Sequence, residues 1–124
     1  MIKNELIKFL ESKVRNQWIT DDHHEIYVRK SQRHGIKFLD IANITVNPQG
    51  TGLFKSFLEL AQTLALKYDL DGIYIENVHN KSLYAHLYRR TKIDPNWEVS
   101  KIHPSDFLWV RPSLNWDKSF WRYI

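Results

Sequence analysis

The residues with the clearest chemistry in this sequence are two glycines between an apolar strand pattern and a helical pattern. Gly50 and Gly52 follow the apolar residues 44–46 and precede a helix that we expect to begin near Gly52. The first N–H groups of a helix have no partner within it, and the helix dipole gives them partial positive charge. Glycine has no Cβ, so a ligand can approach this backbone closely. The turn fits a phosphate, although a βα turn that merely uses glycine explains the stretch equally well.

Familiar phosphate motifs do not match this turn. A nucleoside-triphosphate loop needs Lys-Ser or Lys-Thr directly after its last glycine, whereas Lys55 and Ser56 come two residues later. The three-glycine dinucleotide pattern is absent as well. These residues therefore predict a cradle for a monophosphate or pyrophosphate without magnesium chemistry.

The composition narrows the class of protein. A chain of 124 residues is long enough for one domain with one core. It contains no cysteine, which excludes disulfides, thiolate zinc sites and a cysteine nucleophile. No apolar run approaches the roughly 20 residues that span a bilayer, and the N-terminus has an amphipathic helical pattern rather than a signal-peptide core. We expect a cytoplasmic protein with no membrane partner.

Two polar clusters have competing interpretations. The basic segment RKSQRH, residues 29–34, is either a solvated hairpin tip or a surface for an anionic partner. No nucleic-acid motif accompanies it, so a nucleic-acid partner is not favoured.

The segment DDHHE, residues 21–25, contains His23 and His24, but adjacent residues of an extended segment point to opposite faces. No distant pair completes a known ligand spacing. We expect a surface loop and no metal.

The periodicity of apolar residues predicts a mixed α/β (α+β) domain around one sheet. Helical spacing runs from residue 3 to about 17, over the glycine-led segment, and over NKSLYAHLYRR, where Asn80 is a suitable N-cap. The remaining apolar segments predict strands, with SQRHG as the tight turn of a hairpin; they are EIYVRK, GIKFLDIANITV, GIYIENV, WEVSKI and DFLWVRP. The helix after the turn buries one face, made of Leu53, Phe54, Phe57, Leu58, Leu60, Ala61, Leu64 and Ala65.

Two of these segments, in this order, resemble the GNAT superfamily of N-acetyltransferases. QGTGLF, residues 49–54, looks like the Gln/Arg-x-x-Gly-x-Gly/Ala motif whose backbone amides hold the coenzyme A pyrophosphate, and IYIENVHNKSLYAHLYRR is similar to the next strand and helix of that family. The resemblance covers about residues 36–92. It implies one GNAT-like domain over residues 1–124, with a mixed, mostly antiparallel sheet flanked by helices, and acetyl-CoA as co-substrate. The coenzyme-binding residues that it implies are Ile44, Val46, Gln49, Gly50, Thr51, Gly52, Leu53, Phe54 and Asn80.

The implied reaction is attack of a neutral amine on a thioester, which needs a base, a donor to the developing oxyanion and a proton for the thiolate. In the family, a bulged strand beside the coenzyme commonly provides the oxyanion donor. Asp40 is the only carboxylate on the strand that leads to the turn, where the histone-acetylating branch carries a glutamate base; Glu76 lies on the next strand. Tyr84 and Tyr88, one helical turn apart, are candidates for protonating the thiolate. The alternatives are an edge carboxylate for Asp40, a salt bridge for Glu76 and core packing for both tyrosines.

The period of two along the strand places Asp40 on the same face as Ala42, Ile44 and Val46. Asn80 resembles the family asparagine near the pantetheine arm, although capping alone explains it. We expect it to do both.

The C-terminal quarter is rich in large aromatic residues, which are Trp97, Phe107, Trp109, Trp116, Phe120, Trp121 and Tyr123. They either close the core or form an acceptor groove or a self-association surface, which leaves a homodimer open. Two functions follow. The first is an acetyl-CoA-dependent N-acetyltransferase acting on an amine of a small molecule or a protein. The second is a non-catalytic binding protein on the same scaffold, which Phe54 favours because a small residue normally stands there.

Overall fold

A six-stranded sheet with three helices makes up residues 1–112, the part of the chain that the computed structural model describes. The elements are α1 (Ile2–Glu11), β1 (Asn16–Thr20), β2 (His24–Arg33), β3 (Ile36–Val46), α2 (Leu53–Lys67), β4 (Gly72–Ile75), α3 (Lys81–Ile93), β5 (Trp97–Val99) and β6 (Phe107–Val110). The strand order is β1-β2-β3-β4-β6-β5, with β3 and β4 parallel and every other pair antiparallel. The predicted fold class, a mixed and mostly antiparallel sheet flanked by helices, is confirmed.

The first helix is shorter than predicted, and a strand follows it that the sequence did not reveal. α1 ends at Glu11, where Ser12 takes an extended backbone and its hydroxyl donates to the Phe9 carbonyl at 2.8 Å. The helical spacing that continues to Val14 is coincidental, because Val14 is exposed. β1 was missed because it buries only Ile19, so its residues show no alternation of apolar and polar side chains.

The predicted surface loop at residues 21–25 is wrong in part, because His24 is buried and begins β2. The Asp21 carboxylate ties this turn to α1. It accepts hydrogen bonds from the N–H groups of Ile2, His23 and His24 at 2.8–2.9 Å and from the His24 ring at 2.8 Å. Burial opposes ionisation of Asp21, but these hydrogen bonds outweigh it and hold the pKa of Asp21 well below its usual range.

The main core lies between the helices and one face of the sheet. Buried side chains of all three helices pack with Leu39, Ile41, Ile73, Ile75, Phe107 and Trp109 of the central strands. On α2, Phe57, Leu58, Ala61, Leu64 and Ala65 are buried, while Leu53, Phe54 and Leu60 are partly exposed. The alternate residues of the same strands form a second apolar cluster on the opposite face, made of Ile36, Phe38, Tyr74, Leu108 and Val110.

Two tryptophans of the aromatic C-terminal quarter belong to the main core. Trp97 and Trp109 are buried, and with the Gln62 amide oxygen facing them, both indole N–H groups donate to it at 3.0 and 3.1 Å. Core closure is thereby confirmed for these two residues. Trp116, Phe120, Trp121 and Tyr123 lie outside the described residues. Within residues 1–112, no helix has both the length and the apolar character to cross a membrane.

The two parallel strands at the centre of the sheet separate beyond Ile41. β3 has eleven residues and β4 has four, and their pairing runs only from Phe38–Gly72 to Ile41–Ile75. Beyond that point, among the described residues, β3 pairs only with β2, and the register jumps at Ala42, which forms a bulge without an opposite partner there. A wedge therefore opens between the end of β3 and the chain that leaves β4.

Candidate functional site

The glycine turn presents free backbone donors. Gly50 and Gly52 have φ angles of +77° and +80°, which glycine adopts without strain. The first helical hydrogen bond of α2 runs from the Ser56 N–H to the Gly52 carbonyl at 3.0 Å. Among residues 1–112, the preceding N–H groups of Leu53, Phe54 and Lys55 have no backbone acceptor. A Cβ on either glycine would meet nothing within 4 Å, so the space in front of the turn is open.

A cavity of about 430 Å³, which we call the turn cavity, lies between this turn, the end of β3 and one face of α3. Eight of the nine predicted coenzyme residues line it: Ile44, Val46, Gln49, Gly50, Gly52, Leu53, Phe54 and Asn80. Thr51 does not line it, because its hydroxyl donates to the Pro48 carbonyl at 2.9 Å. The cavity is also lined by the cations Lys55 and Arg89 and by the neighbouring Ser82 and His86, which were not among the predicted coenzyme residues. Ser82, His86 and Arg89 follow the i, i+4, i+7 spacing of one helical face, a signal that could have found them.

Phe54 does not fill the turn cavity. Its ring meets the His86 ring edge-on, with the ring centroids 5.8 Å apart. The His86 Nε2 atom accepts a hydrogen bond from Arg90 Nε at 3.2 Å. Burial, followed by the positive charges of Arg90, Arg89 and Lys55, lowers the pKa of His86, so the imidazole is neutral at pH 7. The two rings form a wall of the cavity.

A second space, the wedge cavity, occupies the opening between β3 and the chain after β4. Its volume is about 480 Å³, and the bulge residue Ala42 lies on one side of it. Asn80 borders both this cavity and the turn cavity, and its side chain caps α3 by accepting the Leu83 N–H at 3.0 Å. The predicted N-cap is therefore confirmed. Ile44 and Leu83 also line both spaces, so the two cavities adjoin each other.

A third space, the polar cavity, has a volume of about 520 Å³ and borders the face of the sheet that carries Tyr74. It shares Glu76 and Asn77 with the wedge cavity. Tyr74 donates to an Asp106 carboxylate oxygen at 2.6 Å. Three neighbouring cavities that share lining residues therefore lie between the glycine turn and the polar face of the sheet.

Asp40 and Glu76, the two candidate general bases, belong to a network of four charged side chains. Arg33 donates to both Asp40 oxygens at 3.0 and 3.2 Å and lies 3.4 Å from Glu76, and Arg29 contacts Glu76 directly. The Ser31 hydroxyl donates to Asp40 at 2.7 Å. Burial raises the pKa of Asp40, which is 2% exposed; the Ser31 and Arg33 contacts oppose this rise and the Glu76 charge adds to it.

This network corrects the interpretation of residues 29–34 as a solvated hairpin tip. Arg29 and Arg33 are half-buried on β2, and the turn is confined to His34 and Gly35. Arg33 also stacks on the Tyr74 ring at 3.8 Å. The pattern of alternating charge along the strand gave no sign of this, because the acidic partners lie on β3 and after β4.

The expected shared face of Asp40 and Ile44 is wrong. Ile41 and Ile44 both pack in the main core, although they are three residues apart. The bulge at Ala42 shifts the alternation by one residue, so Asp40 keeps the face of Phe38 and Tyr74 while Ile44 joins the other face.

The structure does not bring Tyr84 and Tyr88 to the three cavities. The Tyr84 hydroxyl donates to the Pro104 carbonyl at 3.3 Å, and its ring packs edge-on against Phe107. Tyr88 stacks on Tyr84 and is 43% exposed. Tyr84 therefore packs toward β6, and neither tyrosine is among the residues that line these cavities. Among residues 1–112, no group of three or more His, Asp or Glu side chains is placed to hold a metal ion.

The sequence and the structure of this chain were compared with those of known proteins. No family model matches the sequence, and no curated protein matches it. Among solved structures, a GNAT-family acetyltransferase from Listeria monocytogenes superposes with a TM-score of 0.51 at 15% identity, covering 72% of this chain and 56% of that one. The chain has the GNAT fold. The resemblance carried by residues 49–54 is thereby confirmed at the level of the fold, while the chain matches just over half the length of the Listeria protein.

A second similar structure is Naa50 of Arabidopsis thaliana in complex with the bisubstrate analogue CoA-Ac-MVNAL. It has a TM-score of 0.47 and 14% identity, and the match covers 90% of this chain and 91% of that one.

Proposed function

We propose that this protein is an acetyl-CoA-dependent N-acetyltransferase that transfers an acetyl group to an amine of a small molecule or a protein. The observation that carries this proposal is the turn cavity, where the N–H groups of Leu53, Phe54 and Lys55 meet an open space lined by two cations. Unpaired N–H groups at a helix N-terminus bind phosphate groups well. Lys55 and Arg89 add positive charge suited to a coenzyme that carries several phosphates.

The turn and wedge cavities adjoin each other and together suit an extended coenzyme. The pyrophosphate binds at the glycine turn, and the pantetheine arm follows Ile44, Leu83 and Asn80 into the wedge cavity. Thr51 supports the turn through its bond to Pro48, without lining the cavity. The thioester then lies beside the bulge at Ala42, whose backbone N–H is the proposed donor to the developing oxyanion.

Glu76 is the carboxylate best placed to receive the proton of the amine, because it borders both the wedge and the polar cavities. The amine nitrogen attacks the carbonyl carbon, the C–S bond breaks, the amine proton passes to Glu76 through a water, and the thiolate takes a proton. Asp40 has a positioning role: it holds Arg33, which in turn contacts Glu76. The thiolate takes its proton from water in the open wedge, since neither Tyr84 nor Tyr88 lines the three cavities.

A non-catalytic binding protein on the same scaffold is the second candidate. The observation that favours it is the pairing of both predicted bases, since Asp40 and Glu76 are each engaged by guanidinium groups. Acetyl-CoA binding without turnover is the expected behaviour of such a protein.

Calorimetric titration with acetyl-CoA tests the proposal, with Gly52→Asp as the perturbing variant. An added carboxylate at the helix N-terminus repels the pyrophosphate, so we expect at least about tenfold weaker binding, or about 1.4 kcal/mol. Gly35→Asp is a matched control, because Gly35 has the same φ of +80° and equally open surroundings but lies at the β2–β3 turn.

Absence of binding to the unmodified protein at millimolar acetyl-CoA contradicts the proposal, as does equal weakening in both variants. If binding holds, turnover of acetyl-CoA with amine pools separates the two functions. In the enzyme, Glu76→Gln lowers kcat while the acetyl-CoA affinity is kept. In the binding protein there is no turnover to lower.

A further inference from the structure

Asp106 is a buried carboxylate at the edge of the polar cavity. It precedes β6 and is only 6% exposed. One of its oxygens accepts the Tyr74 hydroxyl at 2.6 Å and the other accepts the Asn77 backbone N–H at 2.9 Å. Both donors are neutral, and within residues 1–112 no cation forms an ion pair with Asp106.

The other charges around the polar cavity balance one another. Arg29 and Arg33 carry two positive charges, and Asp40 and Glu76 carry two negative charges, all within one connected network. Asp106 therefore adds a negative charge for which residues 1–112 show no ion pair, and the other ionisable side chains that line the cavity are those of His34 and His103. Burying an ionised carboxylate is costly unless a partner stabilises it. Two hydrogen bonds leave about two of its four lone-pair sites available.

The surroundings of Asp106 keep it a hydrogen-bond acceptor. Burial and the bond to Asp106 raise the pKa of Tyr74, so its hydroxyl remains protonated and donates. Arg33 covers the Tyr74 ring and is held there by Asp40. The guanidinium is thus engaged and does not reach Asp106.

We propose that the polar cavity binds a primary alkylammonium group with Asp106 as its counter-ion, and that this group belongs to the acetyl acceptor. Its role as acceptor rests on the proposed function. Asn77, whose N–H donates to Asp106, lines both the polar cavity and the wedge cavity, and this shared residue is what brings the proposed amine and thioester positions near each other. The bound ammonium first releases one proton to solvent water, and the neutral amine then attacks; its second proton passes to Glu76, which borders the same space.

Binding of simple probes without coenzyme tests this inference. Butylammonium, the neutral butanol and the anionic butyrate have similar shapes and differ in charge. We expect the unmodified protein to bind butylammonium at least about tenfold more tightly than the other two, because only the cation compensates Asp106. The ¹⁵N–¹H signal of the Asn77 amide, which bonds the carboxylate, should move on titration with butylammonium. Equal binding of the three probes, or a preference for butyrate, overturns the proposal.

Two variants assign the effect to Asp106. Asp106→Asn keeps the acceptor for the Asn77 N–H and removes the charge, so we expect at least about tenfold weaker butylammonium binding. Asp22→Asn removes the same charge at an exposed turn and should bind butylammonium as the unmodified protein does. Unchanged affinity in folded Asp106→Asn, checked by circular dichroism, contradicts the assignment. If this variant fails to fold, the three-probe comparison on the unmodified protein decides.

The source of the alkylammonium is read from a further pair of probes. Butylammonium represents a free amine, and Nα-acetyl-lysine amide represents a protein side chain; tighter binding of either one supports the site and names the source. Acetyl-CoA binding without a preference for ammonium refutes this inference alone. A preference for ammonium without acetyl-CoA binding keeps the cation site and refutes the proposed function.

Discussion

Replacement of Arg33 by methionine tests whether this residue of the basic segment stabilises the fold through its ion pairs or is merely exposed to solvent. The Arg33 guanidinium makes two bonds to Asp40, approaches Glu76 at 3.4 Å and stacks on Tyr74. Methionine keeps much of the volume of the side chain and removes the charge. Asp40, which is 2% exposed, then retains the Ser31 hydroxyl and the Arg29 guanidinium, 3.9 Å away.

The expected loss follows from the burial of the two partners. Breaking a fully buried ion pair from one side costs about 3–5 kcal/mol. The Arg33 side chain is 29% exposed and Arg29 remains, so we expect a smaller loss of about 2 kcal/mol in the free energy of unfolding. Urea unfolding followed by tryptophan fluorescence measures it. Lys37→Met is the matched control, because Lys37 is an exposed cation on the adjacent strand, and we expect a change within about 0.5 kcal/mol.

The double variant Arg33→Met with Asp40→Asn separates this pair from other effects of the substitution. Because Asp40→Asn removes the charge that Arg33 compensates, the two losses should fall short of additivity by about 1 kcal/mol or more. Equal losses in Arg33→Met and Lys37→Met, or full additivity in the double variant, would show that Arg33 is solvated and that the network does not exist in solution.

Two further predictions concern the sheet and the first helix. Gly72→Ala should cost about 2–3 kcal/mol in urea unfolding, because the new Cβ would lie 2.2 Å from the Trp109 carbonyl oxygen; a loss below about 0.5 kcal/mol would contradict the spacing of β4 and β6. Asp21→Asn should lower stability at pH 7 and flatten the acid limb of the stability curve. The pKa of Asp21 is depressed in the folded state, so its contribution is present above the ordinary value of 3.8 and is lost as the pH falls below it. Parallel curves for Asp21→Asn and the unmodified protein between pH 5 and pH 2 would refute that role.

Local signals in the sequence were sufficient for the elements around the turn cavity. Gly52 and Asn80 mark the beginnings of α2 and α3, and both helices start where the capping residues indicate. Eight of the nine predicted coenzyme residues line the cavity, and all of these except Asn80 lie close together within residues 44–54. Their role in binding stays a proposal.

The remaining features depend on contacts between distant segments. The bulge at Ala42 has no sequence marker, yet it moves Asp40 and Ile44 to opposite faces. The sequence alone indicates a surface cation at Arg33, whereas in the fold Asp40 of β3 lies beside it and pairs with it. Asp106 stands 29 residues from the amide that it bonds, so no local pattern could indicate its place in a cavity.

Chemical-shift mapping of the backbone amides during titration with acetyl-CoA tests the central claim most directly, because the claim concerns particular N–H groups. The account predicts that the largest ¹⁵N–¹H shifts occur at Leu53, Phe54 and Lys55, which line the turn cavity and whose N–H groups have no backbone acceptor among residues 1–112. Shifts that leave these three amides unmoved at saturating coenzyme, or no shifts at millimolar acetyl-CoA, would contradict it.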